Sequence, residues 1–549
     1  MSRLSELTAV IQAETRKIEQ YFQANGLPAL SFDPAAPLDF PVPAANTEIQ
    51  QGRRAVINAT QELHDLMVGP SESVRWLAWS YNDNLSLQAV YNFGLPHAVP
   101  LDQDISFDDL AAATSLDVVN VKRIVRHAMT NRVFCEPRDG FVAHTAASRA
   151  MLDDATLNDW VGLCSSDFFP AAARTVDALE KWPGSQEPTQ CGFSVAWNIE
   201  VPMFVEIGRN PARAKRFGRA MQSLTGGEGY EVDYLVNGYP WDALGTATIV
   251  DVGGSHGFVP VALAKRFPDL RFVVQDLPKT VADGPAHIPS ELAGRIQFQA
   301  HDFFTEQPVH GADVYFFRWI FHNWSDKYCE KMLKCLIPAL KPGARILVNE
   351  NILPKPGSEN AWDEKIIRTM DMTMLQLLNA RERAEEDYRD LFHRTDPRFK
   401  FLGVKRPEGS RTCTIEAVWL PDLDTAAAPP VAKPDSSGAA TVVQGEKRDY
   451  EAFHSPVTAG SNGIADATKE SPAVTAADTP METSFSSNDI QMAGTAPLEE
   501  ADKLSTTTSA PIVGNEHATA IDAPDKVVES AAPAVNGAAD ATAGAPKDA

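Results

Sequence analysis

Two stretches of this chain carry side chains whose types and spacing could hold a nucleoside. The first reads DVGGSHG from Asp251 to Gly257, between an apolar run that predicts a strand and a segment, Phe258 to Phe267, that is typical of a helix. A second predicted strand, Arg271 to Asp276, ends in an acid. A tight glycine turn lets the backbone approach a ligand closely, and an acid at the next strand tip suits the two hydroxyls of a ribose. Together these features predict an adenosine-containing cofactor.

The spacing of the glycines narrows the choice of cofactor. Gly253, Gly254 and Gly257 do not form the G-x-G-x-x-G of dinucleotide-binding turns, and the Gly-Lys-Ser/Thr of a phosphate-binding loop is absent from the segment. An acid two residues before the glycines is instead the pattern of S-adenosylmethionine (SAM) methyltransferases. An ordinary strand, turn and helix without a ligand is the alternative that these residues alone leave open.

Further candidate residues follow the third and fourth predicted strands. The third strand finishes in Asp302-Phe303, an acid and an aromatic ring that could hydrogen-bond and stack on adenine, although Asp302 could instead cap a helix. The fourth strand is followed by His322, just before a predicted helix start at Ser325. Ligands in open α/β sheets bind at the carboxyl ends of strands, so we expect these side chains to face the cleft of the glycine turn. His322 is therefore a candidate catalytic group.

An alternation of strands and helices from about residue 241 to 421 must position these groups. Strands are predicted at 248–253, 271–276, 296–301, 313–319 and 345–351, with helices between them, notably Lys327 to Leu340. Two final strands, 399–402 and 412–419, have no helix between them and should pair as a hairpin at one edge. The predicted fold class is α/β, a doubly wound Rossmann-like sheet with a C-terminal antiparallel hairpin.

The region 1–150 is helical by its apolar period, with helices predicted from Leu4 to Asn25 and from Thr47 to Met67. Within a module of about 75–148, two short helices, 107–113 and 117–129, precede two short strands, 133–135 and 140–143, which predicts a winged helix. Such a module binds DNA or supports a dimer. Acidic residues nearly cancel the positive charge of its second helix, which favours the dimer or a scaffold.

The segment 151–240 is predicted to be a helical linker rich in aromatic residues and methionine. Most of these side chains should be core, and some could wall a pocket for a flat apolar substrate.

Length and charge bound the remaining possibilities. A chain of 549 residues suggests two or three domains, and its net charge of -24 argues against nucleic acid and anionic membranes as partners. After Leu420 the sequence holds 20 acidic and 7 basic residues among Ala, Thr, Pro, Ser and Gly. Such a composition cannot bury enough apolar surface to offset chain entropy, so 422–549 is predicted to be a disordered acidic tail.

The cysteines and the start of the chain indicate a compartment. The six cysteines are scattered without a C-x-x-C pair, which favours reduced thiols over disulfides or a zinc site. The N-terminal stretch has charges among its apolar positions, unlike a signal peptide, and no apolar run approaches the roughly 20 residues that span a bilayer. We expect a cytoplasmic protein without a membrane or metal partner.

Five ordered motifs complete the picture: DVGGSHG, VVQDLP, HDFF, RWIFHNWSD and the stretch Asn379 to Asp387, NARERAEED. Together they resemble the SAM-dependent O-methyltransferases of the plant caffeate type and their fungal secondary-metabolite relatives, over about residues 60–420. The resemblance implies SAM as cofactor, a phenolic or polyketide-derived small molecule as acceptor, a homodimer built through the winged helix, and no metal.

The resemblance also implies a role for particular residues. The cofactor would be held by Gly253 and Gly254 at its methionine part, Asp276 at the ribose, Asp302 with Phe303 at the adenine, and Arg318, which stands where the family often has Lys. His322 matches the general base, and the acids that flank it in the family match Glu350 and Glu382. The acceptor pocket would be lined by Trp319, Met374, Leu378 and Asn379. Ser255 and His256 replace the usual Gly-Thr, which leaves the affinity for the cofactor open.

The chemistry suits these residue types. A phenol with a pKa near 10 is mostly neutral at cell pH, and an imidazole with a pKa near 6.5 can accept its proton as the C–O bond forms, typically worth about a hundred- to ten-thousandfold. A carboxylate beside the ring would fix its tautomer and stabilise the imidazolium. Two alternatives stay open: an N-methyltransferase on the same fold, and a non-catalytic scaffold that acts through the acidic tail.

Overall fold

The computed structural model describes residues 2–421; the predicted tail, 422–549, lies outside the described residues. The chain begins with an antiparallel pair of long helices, α1 (Arg3–Asn25) and α2 (Thr47–Val68). The side chain of Ser2 accepts the Ser5 N–H and caps α1, and Gly26 ends it at φ 62, a conformation that glycine adopts without strain. Three helices follow: α3 (Pro70–Trp79), α4 (Tyr81–Asn92) and α5 (Leu95–Ala98).

The next module has the order of elements predicted for a winged helix. Strand β1 (Ile105–Ser106) leads into α6 (Phe107–Thr114) and α7 (Val118–Thr130), and β2 (Phe141–Val142) returns antiparallel to β1. The strand predicted at 133–135 is wrong: only a bridge from Cys135 to Ala143 forms in the described structure. The backbone φ angles of Arg132 and Phe134 are 64° and 69°, which a regular strand does not permit.

A run of short helices packs beside the later sheet. Its members are α8 (Ala146–Asp153), α9 (Ala155–Leu163), a π-helical turn (Cys164–Phe168), α10 (Phe169–Ala173), α11 (Thr175–Lys181), α12 (Gly192–Trp197), α13 (Met203–Gly208), α14 (Pro211–Thr225), α15 (Val232–Gly238) and a 3₁₀ turn (Trp241–Leu244). Buried residues of this run, including Phe193, Met203 and Phe204, form one core cluster with Met374 and Leu378 further along the chain. This cluster joins the helical middle of the chain to residues that lie after the central strands in sequence.

A seven-stranded sheet organises the rest of the described chain. Its strands are β3 (Thr248–Val252), β4 (Arg271–Asp276), β5 (Ile296–Ala300), β6 (Val314–Arg318), β7 (Arg345–Glu350), β8 (Phe399–Lys405) and β9 (Cys413–Trp419), in the order β5-β4-β3-β6-β7-β9-β8. The first five strands are parallel, while β9 runs antiparallel to both β7 and β8. The predicted doubly wound sheet and its edge hairpin are confirmed.

Helices cover both faces of this sheet. They are α16 (Phe258–Arg266), α17 (Pro278–Asp283), α18 (Asp326–Leu336), α19 (Ala361–Leu378) and α20 (Glu385–Thr395), with 3₁₀ turns at Gly284–His287, Phe321–Asn323 and Ile337–Ala339. Apolar clusters lie on each side of the strands, and every residue of β6 is buried, as expected of a central parallel strand. The strand order reverses between β3 and β6, so the crevice for a ligand opens at their carboxyl ends.

Across residues 2–421, none of the helices combines the length and apolar character needed to cross a membrane.

Candidate active site

The turn after β3 must be built from glycine. Gly253 has φ 77, and a Cβ placed on it would lie 2.5 Å from Cδ1 of Ile320. A Cβ on Gly254 would overlap the carboxylate of Asp251. Packing against the chain itself, together with the left-handed backbone at Gly253, therefore excludes larger residues and leaves the main chain of the turn on the crevice.

Asp276, at the end of β4, closes the turn from the neighbouring strand. Its Oδ2 accepts the N–H of Ser255 at 3.0 Å and its Oδ1 accepts the N–H of Leu277 at 2.8 Å. Burial raises the pKa of Asp276 above its ordinary value, and these two N–H groups oppose that shift. Ser255 has φ 51, a region that costs a non-glycine residue roughly 1–2 kcal/mol. Serine in place of the family's glycine is thus accommodated with modest strain.

Asp251 and Arg318 are two buried ionisable residues in the lining of the crevice, and each affects the pKa of the other. Burial and the nearby Asp276 carboxylate raise the pKa of Asp251 to about 7, while Arg318 opposes the shift. Burial lowers the pKa of Arg318 to about 10, against the effect of Asp251. The Arg318 guanidinium donates to the Asn349 side chain and, at 2.9 Å, to the Tyr230 carbonyl. Arg318 is therefore fixed beside the glycine turn.

Asp302 uses its two oxygens differently. Oδ1 accepts the N–H of Phe304 at 2.9 Å and so caps the turn that follows, which agrees with part of the capping alternative. Oδ2 is buried and finds no hydrogen-bond partner anywhere in residues 2–421. A buried, unpartnered carboxylate oxygen is costly unless a donor arrives from elsewhere. Phe303 packs edge-to-face on Phe304 and Trp324, with ring centroids 4.8 and 6.0 Å away.

His322 lies in the 3₁₀ turn after β6 and is almost completely buried. Its Nδ1 is 2.9 Å from Oε1 of Glu382. A carboxylate only accepts hydrogen bonds, so this contact places the ring proton on Nδ1 and leaves Nε2 with a lone pair. Nε2 has no partner within the described chain. Burial alone would lower the pKa of His322, but the carboxylates of Glu382 and Glu350 outweigh it, so the pKa is raised above 6.5.

Glu350, at the end of β7, is fully buried and supports the loop that carries the histidine. Its Oε1 accepts the N–H of Ile320 at 2.7 Å, and its Oε2 accepts the N–H of His322 at 3.1 Å and the hydroxyl of Tyr388 at 2.6 Å. The two acids predicted to flank the imidazole contact His322 in different ways: Glu382 binds the ring, and Glu350 accepts the main-chain N–H. Glu350 acts on the main chain and, through its charge, on the pKa of His322.

Glu382 is only 1 % exposed, although the sequence around it is rich in charge. Its N–H donates to Asp371 at 2.9 Å, which fixes the loop between α19 and α20. The adjacent Arg383 is also fully buried and donates to the carbonyls of Phe321 at 3.0 Å and Trp324 at 2.8 Å. Sequence reasoning missed Arg383 and Tyr388. The available signal was their position beside Glu382 in the motif NARERAEED and in the helix that follows it.

A cavity of about 680 Å³ joins the glycine turn to the helical middle of the chain. Seven predicted site residues line it: Gly253, Gly254, Arg318, Trp319, His322, Met374 and Leu378. Asp276, Asp302 and Phe303 lie outside this lining at neighbouring strand ends, and Glu350 and Glu382 lie behind the histidine loop. The site is therefore one cavity with two groups of residues outside its lining, one at the neighbouring strand ends and one behind the histidine loop.

Asn379 is the predicted acceptor residue that the structure places elsewhere. It ends α19 with φ 51, and its side-chain amide donates to the carbonyls of Ser185 at 2.9 Å and Glu187 at 3.2 Å. Among the described residues it is not part of the cavity lining. Its side chain holds two segments together, and a role for Asn379 in the acceptor pocket stays a prediction.

The wall opposite the glycine turn is apolar, as predicted for part of the segment 151–240. It is built from Trp160, Phe168, Phe169, Met203, Phe204, Phe217 and Met221. The π-helical turn Cys164–Phe168 lies in this wall. An apolar cavity of this size with a few convergent polar groups suits a small aromatic ligand.

In the part of the chain that the structure describes, side chains of His, Cys, Asp and Glu form no group of three or more able to hold a metal ion.

Comparisons with known proteins identify the family of this chain. Residues 181–396 match a family model described as an O-methyltransferase domain. A chlorophenol O-methyltransferase of Trichoderma longibrachiatum is 49 % identical over 426 residues, which cover 76 % of this chain and 90 % of that protein. The grayanic acid biosynthesis cluster O-methyltransferase of Cladonia grayi is 40 % identical over 425 residues, covering 77 % and 89 %.

A solved structure shares the fold. The crystal structure of OxaC in complex with SAH and oxaline superimposes with a TM-score of 0.56 at 24 % identity, covering 75 % of this chain and 100 % of that chain. The resemblance inferred from the sequence motifs is confirmed by the family model and the two fungal relatives. The chain belongs to the O-methyltransferase family.

Proposed function

We propose that this enzyme transfers a methyl group from SAM to a phenolic hydroxyl of an aromatic or polyketide-derived secondary metabolite, with His322 as general base. One observation carries the proposal. His322 lines the cavity that starts at the glycine turn, and its Nδ1 is held by Glu382, so that Nε2 is the nitrogen left to accept a proton. The relative from Trichoderma longibrachiatum, named for a chlorophenol, supports a phenol as acceptor.

The residues predicted for SAM fit such a group. The unpartnered Oδ2 of Asp302 is available to the amino group of an adenine. The two oxygens of Asp276 accept two main-chain N–H groups and a hydrogen bond from the Thr280 side chain, and their remaining acceptor capacity suits a ribose hydroxyl. Gly253 and Gly254 line the cavity itself, next to Asp251. When bound, SAM supplies a methyl group on a sulfonium that is already an excellent leaving group.

The chain's own task is to orient the hydroxyl and take its proton. Nε2 of His322 accepts that proton, and Glu382 stabilises the imidazolium through the bond at Nδ1. Glu350 holds the loop so that the ring keeps its place against Trp319, whose centroid is 5.0 Å away. The apolar wall excludes water and positions a flat ring.

The alternatives left open by the sequence find less support. An amine acceptor has less need of a general base than a hydroxyl has. The histidine held by a buried carboxylate therefore favours a hydroxyl as the acceptor. A scaffold without catalysis would not need the buried hydrogen bond between His322 and Glu382. The relatives that match over three quarters of the chain are named O-methyltransferases.

We also propose that the enzyme is a homodimer. The surface formed by α3 and the start of α4, called the α3 face here, exposes Val74, Trp76, Leu77, Trp79 and Tyr81. Their exposed fractions run from 51 % to 71 %, and Trp76 and Trp79 pack edge-to-face at 5.7 Å. Large apolar side chains exposed together on α3 and the start of α4 favour contact with another protein surface. A second copy of the chain is the occupant that the resemblance implies.

A cytoplasmic location is a further part of the proposal. All six cysteines are free thiols in the structure, which suits a reducing compartment.

The test of the function is direct. The purified full chain is incubated with methyl-labelled SAM and two matched panels, substituted phenols that include chlorophenols, and the corresponding anilines. We expect label in the methyl ethers of phenols. Transfer to anilines alone would replace the proposal with N-methylation, and no transfer to either panel would contradict it.

A further inference from the structure

A second polar patch lies in the cavity, apart from the glycine turn and the base. Four charged residues besides the histidine contribute to the lining: Asp251, Arg318, Lys365 and Arg411. The first two belong to the crevice floor, and Lys365 is exposed at the surface. Arg411 is half-buried and forms no ion pair with any carboxylate of residues 2–421. A cation in the wall of an apolar cavity, without an anion, is unusual.

The chain makes room for this side chain. Arg411 follows the loop of the β8–β9 hairpin, and its N–H donates to the Gly229 carbonyl at 2.9 Å. Gly229 has φ 85, and a Cβ there would lie 2.9 Å from Cγ of Arg411. The guanidinium then reaches the ring of Tyr230, with Cζ 5.5 Å from the centroid. A glycine in the left-handed region therefore sets the path of the arginine into the wall.

Unpartnered polar atoms surround the same point. The hydroxyl of Tyr230, the Nε1 of Trp319 and both amide atoms of Asn351 are buried and, across the described chain, make no hydrogen bond. Arg411 and Asn351 approach the Tyr230 hydroxyl closely enough to affect its pKa, yet neither forms a bond of good geometry with it. Burial raises that pKa above its usual value, so the hydroxyl remains a donor at neutral pH. The Tyr230 hydroxyl, the indole N–H and the Asn351 amide nitrogen are three donors that lack an acceptor here, which an incoming ligand could supply.

The patch adjoins the base. The ring of Trp319 lies 5.4 Å from Tyr230 and 5.0 Å from His322, centroid to centroid. A substituent held by Tyr230 and Arg411 would therefore belong to the same small aromatic molecule whose hydroxyl meets the imidazole. Trp319 itself has φ 56, a strained backbone that the surrounding packing maintains.

We propose that Arg411, Tyr230 and Trp319 form an anion subsite that binds a carboxylate on the phenolic acceptor, so that hydroxybenzoic acids are preferred to neutral phenols of the same shape. The guanidinium supplies the charge, and the hydroxyl and indole N–H supply directed hydrogen bonds. The inference rests on the proposed function, because it names the class of acceptor for that reaction.

The experiment compares ligands that differ in one charge. Benzoate and benzamide are tested as inhibitors of phenol methylation, and both are titrated calorimetrically into the full chain. We expect benzoate to bind at least about tenfold more tightly than benzamide in the native protein. Arg411→Gln should bring the ratio of the two affinities close to one. Arg406→Gln, on the same hairpin but paired with Glu359 outside this cavity, should leave the ratio unchanged.

The outcomes separate the two proposals. Equal binding of benzoate and benzamide to the native chain would overturn the anion subsite, as would an Arg411→Gln protein that keeps the preference. Phenol methylation would still stand in either case. Conversely, a chain that methylates no phenol contradicts the proposed function, while the calorimetric ratio still decides whether the subsite binds a carboxylate. Melting curves of both variants check that they are folded.

Discussion

Nδ1 of His322 and Oε1 of Glu382 lie 2.9 Å apart, and this bond joins the loop after β6 to the loop between α19 and α20. The side chains are 7 % and 1 % exposed, so water screens the pair weakly. The second carboxylate oxygen of Glu382 is buried and unpartnered in the described structure. The imidazole is therefore the side-chain partner that this buried carboxylate depends on, and the two residues should act as a unit.

Replacement of His322 by Ala tests the base. We expect kcat/KM for a phenol to fall by about 10²–10⁴, because proton transfer to a positioned base contributes that much. The affinity for SAH, measured by calorimetry, should change little, since Gly253, Asp276 and Asp302 lie at the ends of other strands. His310→Ala, at an exposed histidine, serves as the matched control. Native turnover in the His322→Ala protein would refute the assignment.

Replacement of Glu382 by Gln tests the carboxylate through pH. The raised pKa of His322 predicts that kcat/KM falls on the acid side with an apparent pKa above 6.5, because only the neutral imidazole accepts a proton. Without the Glu382 charge, burial dominates, and the acid limb should move below 6.5 while the maximal rate falls. Glu386→Gln, at an exposed acid four residues on, should keep the native profile. An unshifted limb in Glu382→Gln would exclude the coupling.

The raised pKa of His322 also predicts how the stability of the fold depends on pH. Because the pKa of His322 is higher in the folded chain than in the unfolded one, the imidazolium stabilises the fold fully below pH 6.5, and this contribution is lost as pH rises through the folded pKa.

Much of the fold could be predicted because the local signals agree. The strands of the parallel sheet are apolar runs that end in turn residues, and the final pair lacks a helix between its members, so β9 had to return antiparallel. The prediction of a strand at 133–135 was wrong for a reason that cannot be read from the residue types. Arg132 and Phe134 adopt left-handed φ angles, which tertiary packing imposes and neither residue type announces.

The site residues that belong to sequence motifs could be predicted, whereas those whose position depends on tertiary packing were harder to predict. Gly253, Asp276, Asp302 and His322 stand at strand ends, and the topology brings those ends together. The burial of Glu382 among exposed charges, by contrast, depends on a loop that folds back over 60 residues of sequence separation. The position of Asn379 as the C-cap of α19 could not be told from a pocket position by sequence alone, because a cap and a pocket residue look alike in a sequence.

Tyr388→Phe tests how far the Tyr388–Glu350 hydrogen bond supports the loop that carries His322. The Tyr388 hydroxyl donates to Glu350 at 2.6 Å in a fully buried setting. Losing a hydrogen bond to a buried carboxylate should cost about 1.5–3 kcal/mol, seen as a melting temperature lower by a few degrees. We expect kcat to fall as well, since Glu350 also holds the His322 main chain. Tyr21→Phe, at a partly buried tyrosine of α1 outside the α3 face, should alter neither quantity.

Asp302 offers a pair of variants that separate ligand binding from folding. Asn keeps the oxygen that accepts the Phe304 N–H but replaces the unpartnered oxygen by an amino group. Asp302→Asn should therefore weaken SAH binding at least about tenfold with an unchanged melting temperature. Asp302→Ala should weaken binding similarly and also lose about 0.5–2 kcal/mol of stability with the cap. If Asp302→Asn bound SAH as tightly as the native chain, the adenine assignment would be wrong.

The α3 face allows the homodimer to be tested without touching the cavity. Leu77 is 71 % exposed within this face, and a carboxylate there would have to be desolvated in any interface that covers it. Light scattering on the native protein should give twice the chain mass of 59.8 kDa, and Leu77→Glu should shift the mass to that of one chain. Val176→Glu, at a similarly exposed apolar residue on α11, should leave the dimer intact. A native protein with the mass of a single chain at micromolar concentration would end the dimer proposal, and a Leu77→Glu dimer would move the interface away from α3.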